Sequence, residues 1–400
     1  MRVLLISHWY KPVKSPVKRM ARIAEFLADD DKNSVTVLAS LPSYPTGILP
    51  AEYRGKLWDI AFDNKVKIVR VWDLPTPNKG FLRRTVNHLV FLFSTIIAII
   101  FMENFDLVIV SSPNFFSGLA GLFATLLSKG KFIFDVRDLW PDSAFELGYK
   151  PSPLIMRPLK ALEALYYRKA IKIFTATAEI RKTIVRSGID KNKVATLVNT
   201  VDINLFKPRK IDRKQFKLKK QDFVIIYVGS LTQVQNLKTV IDAAKIIEKH
   251  QEIKILMVGE GEDKENLIKQ SNTLKLKNIS FINGQPTDKI IEIINASDLG
   301  LISLSTNKFF SDNALPTKTS EYLGCAKPIV ACAGKNLKEL IEQNKVGQVV
   351  APGDSKALAK VILHLYNNPA LVKKYSLNAR ELAIKQFSDA HFYEILKKNL

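Results

Sequence analysis

The chain has 400 residues, 47% apolar and 24% charged, which argues against long disorder and is too much for one comfortable core. Lys and Arg number 60 against 38 Asp and Glu, a formal charge of +22. That excess points to a nucleic acid, an anionic membrane face or a phosphorylated substrate, with a lysine-rich solvated surface as the plain alternative.

The first residues, MRVLLI, carry one charge and read as a buried strand rather than a signal peptide. Strands are predicted at 3–7, 34–39, 66–71, 107–111, 132–136, 173–177 and 194–197, with helical patterns between them, as at 19–27 and 154–168. The apolar run 89–102 holds 14 residues, fewer than the ~20 of a spanning helix, so a buried core helix is expected. Its flank, residues 79–84 (KGFLRR), mixes cations with apolar groups and keeps contact with a membrane surface open. After the charged stretch 207–222 a second series starts, with strands at 223–228, 253–258, 279–282, 299–304, 328–331 and 347–350 and a helix at 237–249. Two such series imply an α/β chain of two doubly wound domains, 1–200 and 223–385, joined by a linker at 201–222. A C-terminal helix near 386–400 can pack back on the first domain. Ligands in these sheets bind beyond the carboxyl ends of the strands, so two domains facing each other make a cleft.

Residues 311–328 carry the most chemistry. A loop of small and polar residues runs into a helix starting near Pro316, whose free N–H groups and dipole suit a diphosphate. Lys318 adds a cation in the first turn, and Glu321 lies one turn on, where a carboxylate can accept two ribose hydroxyl bonds. Taken alone, the segment reads first as a surface loop, a capped helix and a solvent-exposed Glu. In the first half, Arg137 and Asp138 follow the strand 132–136. Asp138 is a candidate base for an acceptor hydroxyl, weighed evenly against a turn cap, and Arg137 a candidate phosphate ligand. His8 also ends a strand, where a lone His is more often structural. Asp135, Asp138 and Asp142 show no metal-ligand spacing, and Cys325 and Cys332 are too few for zinc or a disulfide framework. No nucleic-acid motif is visible, and no Gly-x-Gly-x-x-Gly follows either first strand, which disfavours a dinucleotide dehydrogenase.

These residues sit in a longer register. Residues 5–12 (LISHWYKP), 42–47 (PSYPTG), 138–143 (DLWPDS) with Leu147 and Gly148, 227–229 (YVG), 258–261 (VGEG), 281–284 (FING), 316–323 (PTKTSEYL), 350–354 (VAPGD) and 387–388 follow one another in family order. In order and spacing they resemble the retaining glycosyltransferases of family GT4, which have the GT-B fold. The likeness is greatest to the branch that builds bacterial surface polysaccharides and includes N-acetylfucosamine-type transferases.

The resemblance implies an acceptor-binding first domain and a nucleotide-sugar-binding second one. Glu321 matches the second Glu of the family's Glu-x7-Glu motif, which holds the donor ribose. Leu315, Pro316, Thr317, Lys318 and Thr319 match the loop that offers backbone amides to the diphosphate, and Gly284 and Gln285 the loop that reads the base. Gly229 and Ser230 end the first donor strand. Three departures stand out. Asn313 replaces the first Glu, with Asp312 beside it as a substitute, and Ser230 and Gln235 replace the usual Arg and Lys. Lys318 is then the best cation for the leaving diphosphate, with Lys14 and Arg19, in a loop with Ser15, behind it.

The implied activity is a metal-free, cofactor-free transfer with retention, from a UDP-activated N-acetylated hexosamine or deoxyhexosamine. The implied acceptor is a polyprenyl-diphosphate-linked saccharide, used by a cytoplasmic protein peripheral to the inner face of the plasma membrane. Two other readings stay open. A UDP-sugar 2-epimerase on the same fold is disfavoured by the poor histidine supply. A non-catalytic nucleotide-sugar binder is suggested by the missing first Glu and donor-strand cations.

Overall fold

The computed structural model describes residues 1–13, 18–44, 46–76, 81–112, 114–143 and 152–400, apart from the side chains of Phe81 and Leu82. The chain divides into two compact units, Met1–Leu197 with Ile395–Leu400, and Val198–Glu394.

Among the described residues the first unit holds eight strands: β1 (Arg2–Ile6), β2 (Ser34–Ser40), β3 (Trp58–Asp63), β4 (Val66–Val71), β5 (Leu107–Ser111), β6 (Lys131–Val136), β7 (Lys172–Thr175) and β8 (Val194–Thr196). They lie in the order β3-β4-β2-β1-β5-β6-β7-β8. The central strands are largely apolar because helices cover both faces of a parallel sheet, and Val3, Leu4, Leu5 and Ile6 are fully buried. Strand β3 was not foreseen. It turns back at Asn64 (φ +52°) and pairs antiparallel with β4, Ile60 opposite Val69.

The second unit holds β9 (Phe223–Val228), β10 (Ile253–Val258), β11 (Ile279–Ile282), β12 (Leu299–Ser303), β13 (Ile329–Cys332) and β14 (Gly347–Val350), in the order β11-β10-β9-β12-β13-β14. Every pairing in this sheet is parallel. The expected linker 201–222 is instead part of this unit. Val201, Phe206 and Leu218 are buried in its core, and Arg213 is bonded to Asp298 at 2.6 Å, so the charged surface of the stretch hid its apolar anchors.

The apolar run also differs from expectation. The helix spans Phe81–Ile100, and only one side enters the core, through Phe91, Leu92, Thr95 and Ile99. Phe93, Ile97 and Ile100 face solvent.

Strand order reverses at one place in each sheet: β1 separates β2 from β5, and β9 separates β10 from β12. The crevice outside the carboxyl ends at such a reversal is where open α/β sheets bind ligands.

Candidate functional site

In the second unit that crevice is built from glycine. β9 runs into Gly229 (φ +138°), and Gly259 (φ +152°) follows β10. A Cβ on Gly259 would stand 1.9 Å from the Gly229 carbonyl oxygen, and one on Gly261 would stand 2.1 Å from that of Leu231. The two loops therefore pack backbone to backbone, as only glycine permits.

The helix Thr317–Gly324 starts beside them, after β12. Pro316 has no N–H, and the Thr319 amide donates to the Pro316 carbonyl at 2.9 Å. Of the expected loop donors, Leu315, Thr317 and Lys318 keep amides without a partner among the described residues, the orphan donors every helix start leaves. The helix is fixed by Tyr322. Its hydroxyl accepts the Val228 N–H at 2.9 Å and donates to the Ile226 carbonyl at 3.1 Å, tying the helix to the end of β9.

Lys318 lies with its ammonium 3.7 Å from the centre of the Tyr227 ring, a cation–π contact. The same ammonium stands 2.9 Å from where a Gly229 Cβ would be. Among the described residues no carboxylate is within ion-pair distance of it. Loss of hydration lowers its pKa to about 7, against the opposing pull of Glu321 one turn on. The Tyr227 hydroxyl is held by the Ser230 carbonyl at 2.8 Å, with Gln235 Oε1 at 3.3 Å. Ser230 and Gln235, at the positions where the resemblance led one to expect cations, thus support the ring that carries Lys318.

Asn313 donates through Nδ2 to the Phe309 carbonyl at 2.8 Å, and its Oδ1 is buried without a partner among the described residues. Asp312 is not its substitute. One carboxylate oxygen accepts the Lys335 N–H at 3.0 Å at the start of the next helix, and the other pairs with Lys308 at 2.7 Å. Gly284 donates its N–H to Glu260 Oε1 at 2.9 Å, and Gln285 folds back onto the Asn283 carbonyl at 3.1 Å. Glu260, also held by Lys264, has its pKa lowered by that amide first and by the lysine next. Tyr227, Tyr322 and Glu260 were missed as site residues, although an aromatic directly before a Val-Gly turn is a visible signal.

In the first unit Arg19 is not available to a phosphate. It is buried, with Nε 2.9 and 3.0 Å from the two oxygens of Asp135, Nη2 at 2.5 Å from Oδ1, and Nη1 on the Leu197 carbonyl. Ser111 completes the shell of Asp135 at 3.1 Å. Lys14 and Ser15 lie outside the described residues, as do Leu147 and Gly148. Arg137 and Asp138 follow β6. The Arg137 amide donates to Ser112 Oγ at 2.9 Å, and burial lowers its guanidinium pKa while Asp135 and Asp138 raise it. Asp138 reaches solvent, but the protein around it raises its carboxyl pKa, against the pull of Arg137 and Arg84. His8 is buried between Trp9 and Phe91, with Nε2 3.1 Å from Asp73, which makes it a packing residue.

Comparison with known proteins follows the same division. Residues 16–200 match the family "Glycosyl transferase 4-like domain", and residues 208–382 match "Glycosyl transferases group 1". The EpsD protein of Bacillus subtilis is 27% identical over 183 residues, and the chain spans about half the length of that relative, 46%. The capsular polysaccharide biosynthesis glycosyltransferase CapM of Staphylococcus aureus is 24% identical over 304 residues, 72% of this chain and 75% of CapM. Among solved structures, Anabaena HepE in complex with UDP superposes with a TM-score of 0.72 at 16% identity, covering 100% of this chain and 99% of HepE. The chain thus has the GT-B fold, with a first stretch similar to a glycosyl transferase 4-like domain and a second similar to a group 1 glycosyl transferase domain.

Proposed function

We propose that the chain is a glycosyltransferase of bacterial polysaccharide biosynthesis that takes its sugar from a UDP-sugar, an N-acetylated hexosamine or deoxyhexosamine being the expected class. The observation that carries the reading is Lys318, an ammonium on the Tyr227 ring beside the Gly229 turn and at a helix start. A diphosphate there meets one cation and the Thr317 and Lys318 amides. Its negative charge grows as the glycosyl bond breaks, so these groups act more strongly on the transition state than on bound donor. Glu321 is the partner for the ribose hydroxyls, and Asn313 can meet a sugar hydroxyl without adding charge. In the first unit Asp138 is the candidate to accept the acceptor hydroxyl's proton.

The UDP complex of HepE and the name of CapM support donor type and pathway by similarity. Retention, a lipid-linked acceptor, a metal-free step and residence at the inner membrane face are part of the same proposal. A panel of nucleotide sugars tests it, because a ligand at 100 times its dissociation constant adds ~2.7 kcal/mol to stability. UDP-sugars should raise the melting temperature, and transfer should persist in excess EDTA. A panel without any shift would reject the donor assignment. Turnover of donor alone, without acceptor, would favour an epimerase, and binding without transfer a nucleotide-sugar binder.

A further inference from the structure

The first unit carries an apolar surface that its own fold leaves uncovered. On β3 the alternate residues Trp58, Ile60 and Phe62 share one face, and on the helix Phe81–Ile100 the residues Phe93 and Ile97 share another. With Phe101 just beyond the helix, these six side chains are between 57% and 84% exposed. Strand and helix meet at a groove of about 810 Å³, lined on one side by Trp58 and Ile60 and on the other by Ile97 and Phe101, with Trp72 also in its lining.

This helix is unusual for a water-facing element. Its segment Arg83–Ile100 has a mean hydropathy of 1.3, and only 28% of it is buried. A helix apolar all round normally lies inside a core or in lipid. Here its inner side belongs to the core of the unit, so it cannot leave to span a bilayer, and its outer side remains apolar. Exposed apolar patches of this kind mark interaction sites. Charge selects the partner. Lys67 lines the groove, and Arg83 and Arg84 are exposed at the start of the helix, within a chain of formal charge +22. Glu103, also on the groove, is paired with Arg2 at 3.8 Å, and Lys56 with Asp59 at 2.9 Å.

We propose that this face is the membrane-docking surface of the protein: it lies on an anionic phospholipid bilayer, with a hydrocarbon chain of that bilayer seated in the groove between β3 and the helix. The proposal deepens the lipid-linked acceptor reading and rests on it for why docking matters. It extends the contact from the expected 79–84 flank, of which Arg83 and Arg84 remain part, to the strand–helix face.

The test uses the full chain with phosphatidylglycerol vesicles whose acyl chains are brominated. Bromine quenches tryptophan by contact, and Trp58 and Trp72 report the groove. Wild type should be quenched and should cosediment, and Ile97→Glu with Phe101→Glu should weaken partitioning by at least about tenfold, as expected from removing apolar burial. Trp58→Ser, on an exposed strand face, gives a second variant that spares the helix and should lose affinity in the same direction. A UDP-induced melting shift in the variants shows that the second unit is folded, and circular dichroism reports the whole chain. Vesicle binding without any UDP shift would leave this proposal standing while the donor reading fails. Wild type that never sediments, quenching unchanged in the variants, or a dimer that the variants abolish would overturn it.

Discussion

The ring of Tyr322 packs directly against Gly300: a Cβ added to residue 300 would stand 2.3 Å from Tyr322 Cδ2. Strand β12 thus carries a glycine so that the helix bearing Lys318 and Glu321 can sit directly on it. Gly300→Ala must push the ring aside, and with it the two hydrogen bonds to the end of β9. We expect a loss of about 1–3 kcal/mol in stability, the usual cost of overpacking, together with weaker UDP binding. Chemical denaturation and calorimetry check both. A variant as stable as wild type would mean that the helix can shift freely.

Glu321→Ala should weaken UDP binding by about 1.5–3 kcal/mol, the range for hydrogen bonds to a charged group, with the fold intact. Titration calorimetry reads this directly. Equal affinity in the two proteins would remove Glu321 from the ribose.

Lys318→Met should lower turnover roughly 10²-fold, more than it lowers UDP affinity, because the leaving charge is larger in the transition state. The pH dependence gives a second signature. The free ammonium titrates at about 7, and a diphosphate beside it raises that pKa. Binding then takes up protons, so UDP affinity is full below pH 7 and declines as pH rises through the bound-state value. Calorimetry between pH 7 and 9 in buffers of different ionisation enthalpy measures the uptake. Uptake that persists in the Lys318→Met protein would assign the proton to another group.

Arg19→Met should cost about 3–5 kcal/mol of stability, since it leaves the buried Asp135 carboxylate without its cation. UDP affinity of the folded fraction should not change. Denaturant midpoints and UDP titration separate this structural role from a phosphate-binding one, which would instead show as lost affinity at normal stability.

Strand positions were legible because parallel strands buried on both faces leave unbroken apolar runs such as FVIIYV and IVAC. β3 was not, since its alternation points Trp58, Ile60 and Phe62 outward, against the rule that apolar residues mark an inner face. The helix expected near Pro316 begins at Thr317, but the roles of Lys318 and Glu321 came from the family resemblance and stand as part of the proposal. The fate of Arg19 was hidden by distance. Its partner is 116 residues away, and no local pattern distinguishes a buried arginine from one that greets a phosphate. Asp312 failed as a substitute for the same reason, because the amide it holds, that of Lys335, is 23 residues downstream.

Ile395–Leu400 belongs to the first unit, although the whole of Val198–Glu394 is made before it. Leu396 in that segment is fully buried. On the ribosome, then, the first unit is the earlier to emerge and the later to be finished, waiting for a last piece that follows the second unit out. A fragment ending at Leu197 should show the hallmarks of an incomplete fold, and joining 395–400 to it through a short linker should restore cooperativity.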